Sequence, residues 1–196
     1  MDWYAGLLKQ YGPPGSVNFN WNEALSVFAQ GQAAQFFDGA NFAIQFEDKN
    51  QSKIAGKVGY VTLQAGPARH VLPTFTGGCA VSGLSKNKKA AYLFVVWATS
   101  KAILKRTQLA GVGTSRSSAW NDPEVKAKGV MPKGWTDVFL ATLDKGALGL
   151  PEIVAVTEYR DIVGVAIQKV IQGESAKTAL EAEQKELAAV MEKTEK

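Results

Sequence analysis

Cysteine and histidine are almost absent from this chain. A single cysteine, Cys79, excludes an internal disulfide framework, and with one histidine, His70, it cannot build a structural zinc site. Long hydrophobic runs are also missing. Ala90 to Ala98 is among the longest, far short of the ~18 residues that a spanning helix needs. Met1 is followed at once by Asp2-Trp3-Tyr4, without the charged segment and apolar stretch of a secretory leader. Taken alone, that start points to the cytoplasm. The formal net charge is only +4, too mild an excess to identify a partner.

What is present is an ordinary globular composition, 46% hydrophobic and 20% charged over 196 residues. That allows one or two domains with a core that needs no staples. Asp2 to Gln10 is an expected helix stopped by Gly12-Pro13-Pro14-Gly15, because proline cannot continue a helix and glycine permits the turn. Asn20 with Glu23 three residues on forms a capping-box pattern. Trp21, Ala24, Leu25 and Phe28 follow at helical spacing, and Gly31 suits the position after the cap. Short strands are expected at Ala34 to Asp38, Lys57 to Leu63 and Thr76 to Gly83, with a short helix or turn over Asn41 to Lys49.

Helices then dominate. Ser85 or Asn87 starts one that runs to about Thr99. Its stripe of Ala91, Phe94, Val95 and Ala98 is widened by Leu93, Val96 and Trp97, so it is expected to be mostly buried. Ser100 caps the next, and Asp122-Pro123-Glu124 opens another with proline at its first position. Trp135 to Asp144 and Glu152 to Gln172 follow. Ser175 caps a last helix, with Ala176, Ala179, Leu180, Leu187, Val190 and Met191 on its apolar face. The fold class is α/β and helix-rich. Trp21 and Trp97, on helix stripes, are expected in the core.

Several segments, in order, carry a resemblance. They are YGPPG from Tyr11, FAQGQAAQFFDG from Phe28, GKVGYVTLQAGP from Gly56, the pair Gly77-Gly78, and SKNKKAA from Ser85. GVGTSR from Gly111, Asp122-Pro123, LPE from Leu150 and GESAKTAL from Gly173 complete the series. Together they resemble the carboxy-terminal half of the family 1 extracellular solute-binding proteins of ABC importers, above all the sugar- and polyol-binding members. The resemblance implies a two-lobe periplasmic-binding-protein fold, type II-like and incomplete here, with ligand held in the cleft between α/β lobes.

It implies that residues 1–80 are part of the C-terminal lobe, 81–148 return to the N-terminal lobe, and 149–196 close the C-terminal lobe. It also implies a longer protein with an export signal, placed in the periplasm or outside the cell at the membrane. Its partners would be a sugar or polyol and the permease subunits, with no nucleic acid, no metal, no cofactor and no catalysis. Without the other half of the cleft, these residues are expected to bind ligand poorly. They could also form a homodimer to cover exposed apolar surface.

Sugar recognition uses flat aromatic faces on C–H surfaces and planar polar groups on hydroxyls. By the resemblance, the turn Asp38-Gly39-Ala40-Asn41-Phe42 holds a hydroxyl acceptor in Asp38, with Asn41 beside it and a stacking face in Phe42. The family often has tryptophan near this turn; phenylalanine keeps the face but loses the indole donor. Against this, acid-glycine turns form without ligands and Phe42 suits a core equally. Gly77 and Gly78 would let backbone approach a ligand, or mark a strand bulge. Arg116 would offer a guanidinium fork, or lie on the surface. By the resemblance Tyr159, after Leu150-Pro151, is a cleft aromatic, and Trp120, on a loop beside Arg116, is the remaining cleft candidate among the tryptophans.

Rival functions have less support. Any Ser-His-Asp site would have to use His70, and no serine sits in a G-x-S-x-G elbow. Asp38, Glu152, Glu158 and Asp161 could pair as glycosidase carboxylates only at a fixed separation that sequence does not give. Gly111-Val112-Gly113 lacks the phosphate-loop lysine spacing. The lysines and arginine at 86, 88, 89, 101, 105 and 106 lack interleaved RNA-binding aromatics and suit a solvated face. The alternative that stands is a self-contained α/β interaction module with no small-molecule ligand.

Overall fold

The computed structural model describes residues 1–63, 72–74 and 77–195; His70 lies outside them. In chain order the elements are α1 (Asp2–Tyr11), α2 (Trp21–Ala29), α3 (Ala43–Glu47), β1 (Leu72–Thr74) and α4 (Lys88–Ala98). Then come α5 (Lys101–Leu109), α6 (Ser117–Trp120), α7 (Pro123–Lys128), α8 (Lys133–Lys145), β2 (Gly146–Leu148), α9 (Val156–Gln172) and α10 (Ala176–Thr194). Two short 3-10 turns, Ser16–Asn18 and Ala40–Phe42, precede α2 and α3. The fold is helix-rich α/β. It divides into two compact units, Met1–Phe37 with Leu150–Lys196, and Asp38–Gly149.

In the first unit the capping box of α2 is complete. The Asn22 amide donates to Asn20 Oδ1 at 2.8 Å, and the Asn20 amide donates to Glu23 Oε2 at 3.0 Å. Gly31 takes the left-handed conformation after the cap, with φ +75°. Asn20→Ala is therefore expected to cost about 1 kcal/mol, measured by urea denaturation.

Helices α9 and α10 form a hairpin turned at Gly173, whose φ of +115° favours glycine. Ala5, Val170 and Ala179 make the core there, with Ile171 and Ala176 against it. The buried stripe of α10 runs through Ala179 and Glu183, while Leu180, expected on the apolar face, is exposed. Glu183 is tolerated inside because Lys169 of α9 pairs with its carboxylate. Hydrogen bonding to Glu183 also holds the Lys169 ammonium above its ordinary pKa. Glu195 Oε1 accepts from the amides of Val154 and Ala155 at 2.8 and 3.1 Å, satisfying donors at the start of α9.

In the second unit, β1 and β2 form one parallel pair, Leu72 to Gly146, Pro73 to Ala147 and Thr74 to Leu148. The strands expected at 34–38 and 57–63 are not formed, and neither is one over 77–83; Thr76 is outside the described residues. Residues 34–38 use their apolar side chains differently, with Phe36 stacked on Phe28 at a centroid distance of 5.7 Å. Tyr60 packs into a helical core rather than a sheet. Alternation over a few residues makes a strand only where a neighbouring strand pairs with it.

Two tryptophans expected in the core, Trp21 and Trp97, are exposed. So is most of α4, where only Ala91, Val95 and Ala98 are half-buried.

Candidate ligand-binding site

The turn from Asp38 to Phe42 is held from within and from behind. Asp38 Oδ1 accepts from the Gly39 amide at 2.6 Å, and the Phe42 amide donates to the Gly39 carbonyl at 3.1 Å. The Asn41 side chain folds over Gly39 so closely that a Cβ there would run into its Oδ1. Behind the turn, Trp135 Nε1 donates to the Ala40 carbonyl at 2.6 Å. Asp38 and Asn41 remain exposed and Phe42 is half-buried.

Trp135 is the centre of this unit, 2% exposed. Its ring lies 5.7 Å from Trp120 and 5.2 Å from Phe139, and Trp120 and Phe139 are 5.0 Å apart. Ala43, Ala40, Tyr60 and Met131 complete the cluster. Trp120 was expected on a loop; it closes α6 and is buried, with Nε1 donating to the Thr114 carbonyl at 2.7 Å. Thr114 in turn donates its amide and its hydroxyl to Gln108 Oε1, each at 3.1 Å. A Cβ at Gly113 would run into the Phe139 ring, so glycine is required there for packing.

The GVGTSR loop is thus fixed on three sides, and Arg116 follows it exposed. Its Nη2 donates to the Thr99 carbonyl at 2.8 Å, capping the end of α4. Gly77 and Gly78 are exposed, and a Cβ on either would meet nothing within 4 Å among the described residues. With no strand over 77–83, there is no bulge for them to make. Tyr159 sits half-buried in the first turn of α9, in the other compact unit. The structure therefore gathers the 38–42 turn and Trp120 around Trp135, and Arg116 stands at the start of the helix that Trp120 ends.

Two cavities open in this unit. One, of about 380 Å³, lies between Ile44, Glu47 and Asp48 on one side and Gly111, Val130 and Met131 on the other. The second, of about 500 Å³, is lined by Gln108, Trp120, Lys126, Met131, Trp135 and Thr136 among others. Of the expected site residues, Trp120 alone lines either of these two.

Charges reinforce the scaffold. The Tyr60 hydroxyl donates to Glu47 Oε1 at 2.8 Å, and the Gly56 amide donates to Glu47 Oε2 at 2.9 Å. Burial first, then the bond to Glu47, pushes the Tyr60 phenol far above its ordinary pKa. Lys105 bridges Asp122 at 3.0 Å and Glu124 at 2.8 Å. The hydrogen bond from Lys105 outweighs desolvation and holds the Asp122 carboxyl below its ordinary value. A depressed folded pKa means stability that is complete above the unfolded value, about 3.9, and is lost as pH falls through the folded one. Asp122→Asn is expected to flatten thermal stability over that acid range, measured by melts between about pH 5 and pH 2.

Residues 1–105 match the sequence profile of the bacterial extracellular solute-binding proteins, just over half of the chain. The chain belongs to this family. Among its relatives is a mannitol-binding protein of Pseudomonas aeruginosa, 35% identical over 107 residues, which are 52% of this chain and 24% of that one. Another is a probable amino-acid ABC transporter periplasmic-binding protein of Sinorhizobium fredii, 29% identical over 118 residues, 60% of this chain and 26% of that one.

Among solved members, an ABC transporter solute-binding protein of Agrobacterium radiobacter K84, in complex with ribitol, is 26% identical with a TM-score of 0.76. That match covers 94% of this chain and 48% of the other. A solute-binding protein of Agrobacterium vitis S4 with bound D-mannitol, 24% identical with a TM-score of 0.73, shares the fold over 98% of this chain and 50% of its own. The chain thus spans about half the length of these solved family members.

Proposed function

We propose that this chain forms part of the solute-binding component of an ABC importer and supplies one side of a cleft for a sugar alcohol. The reading rests above all on the similarity to the ribitol complex, which spans nearly the whole chain. The relationship to the mannitol-binding protein supports the same ligand class. The turn at 38–42 fits that role. Its backbone is locked by Trp135 while Asp38 and Asn41 stay exposed, so the polar groups are pre-organised at little entropic cost on binding.

In this reading Asp38 and Asn41 hydrogen-bond hydroxyls and Phe42 covers the carbon chain. Gly77 and Gly78 admit the ligand to the backbone, and Arg116 and the edge of Trp120 complete the contacts. The lobes would be 1–80 with 149–196, and 81–148, closing on the ligand by hinge motion. The compact units change at 37/38 and 149/150, and residues 38–63 share the Trp135 core with α6 and α8. The closed protein would then meet its permease in the periplasm, without catalysis or cofactor.

Saturation-transfer NMR of the chain with ribitol, mannitol and free amino acids tests the ligand class, because it registers millimolar binding. Polyol signals should saturate and amino-acid signals should not. Preferential transfer to amino acids would favour the ligand class named for the Sinorhizobium relative.

A further inference from the structure

The larger cavity of the Asp38–Gly149 unit lies among the end of α5, α6, α7 and the start of α8. Trp120, Val125, Met131 and Trp135 give it apolar walls, and no carboxylate is among its lining residues. Both indole N–H groups are already spent, on the Thr114 and Ala40 carbonyls, so the two rings offer the cavity only carbon. A volume of about 500 Å³ suits a small organic ligand.

The polar groups on the lining decide its charge preference. Gln108 is 5% exposed, and its Oε1 is held by the Thr114 amide and hydroxyl. Those two donors fix the oxygen toward Thr114 and turn Nε2 to the other side. Nε2 donates to no group among the described residues, and it is not sealed from solvent. Since Gln108 lines the cavity, this donor opens on it and lacks an acceptor. Lys126 adds a cation. Its ammonium bonds the neutral Asn121 side chain at 3.2 Å, and no carboxylate among the described residues offsets it. Lys133, by contrast, is paired with Asp137. The first turn of α8, entered at Pro132, has no side-chain cap, so its amides add positive potential at the same cavity.

We propose that this cavity is a second binding site, for a small aromatic carboxylate. The ring lies against Trp120 and Trp135, and the carboxylate accepts from Gln108 Nε2 and Lys126 Nζ. A neutral polyol would leave the Lys126 charge unanswered. The site uses neither Asp38 nor Asn41, so it goes beyond the polyol reading, and either can fail while the other holds.

The test is a ligand-observed NMR titration of the chain with phenylacetate, its neutral amide phenylacetamide, and acetate. Phenylacetate should bind roughly 10-fold more tightly than either of the others, because only it supplies both ring and charge. Excess ribitol should not displace it. Lys126→Met should weaken phenylacetate roughly 10-fold and leave phenylacetamide unchanged. Gln108→Glu keeps one oxygen for Thr114 and sets the other in place of Nε2, so it should abolish phenylacetate binding. Thermal melts accompany both variants. Lys126 is exposed, so Lys126→Met should melt with wild type and carries the test even if Gln108→Glu does not fold. Four results would overturn the proposal: no phenylacetate binding, equal affinity for phenylacetamide or acetate, unchanged phenylacetate affinity in Lys126→Met, or displacement by ribitol.

Discussion

Trp135→Ala is expected to destabilise the Asp38–Gly149 unit by about 3–5 kcal/mol, the range for deleting a large buried aromatic. The side chain is almost fully buried and touches Trp120 and Phe139. Its loss leaves a cavity between α3, α6 and α8, and an unpaired carbonyl at Ala40. Trp135→Phe separates the two effects. It keeps most of the ring packing and loses the indole donor, so it should cost about 1–3 kcal/mol and free the 38–42 turn. Urea denaturation followed by circular dichroism measures both. Since that turn carries Asp38 and Asn41, Trp135→Phe should also weaken polyol binding without any contact to the ligand.

Asp38→Ala is expected to lower polyol affinity by about 10- to 100-fold, because hydrogen bonds to a charged group contribute about 1.5–3 kcal/mol. Stability should change little, since Asp38 is exposed and, among the described residues, bonds only the adjacent Gly39 amide. Phe42→Ala should also reduce affinity, by removing the apolar face. Ligand titration with a parallel thermal melt distinguishes loss of binding from loss of fold.

Where local chemistry alone decides, the sequence was readable. The capping box at Asn20, the Ser100 and Ser175 caps and the proline start of α7 stand where residue pattern placed them, because each depends on neighbours within four residues. Strands were not readable. Residues 34–38 and 57–63 have strand-like patterning but no strand beside them among the described residues, whereas β1 and β2 pair across 71 or more intervening residues with almost no pattern of their own. The apolar stripe of α4 was legible as a face that wants burial, yet most of it is exposed.

The site was legible as a turn and not as a constellation. Asp38-Gly39 signals itself locally, but the residue that fixes it is Trp135, whose indole reaches back 95 positions to Ala40. Nothing near Trp135 in sequence marks it, beyond its being a tryptophan near the start of a helix. Trp120 and Arg116 had the residue types of a ligand site, yet each has a structural partner, at Thr114 and Thr99. Residue type alone does not reveal these partners, six and 17 positions away.

The most direct measurement of the central claim is the saturation-transfer titration of wild type and Asp38→Ala with ribitol and mannitol. Wild type should saturate both polyols in the millimolar range, as expected of one side of a cleft, and Asp38→Ala should lose the effect while melting at the same temperature. Absence of transfer from wild type, or equal transfer in Asp38→Ala, would contradict a polyol site at this turn.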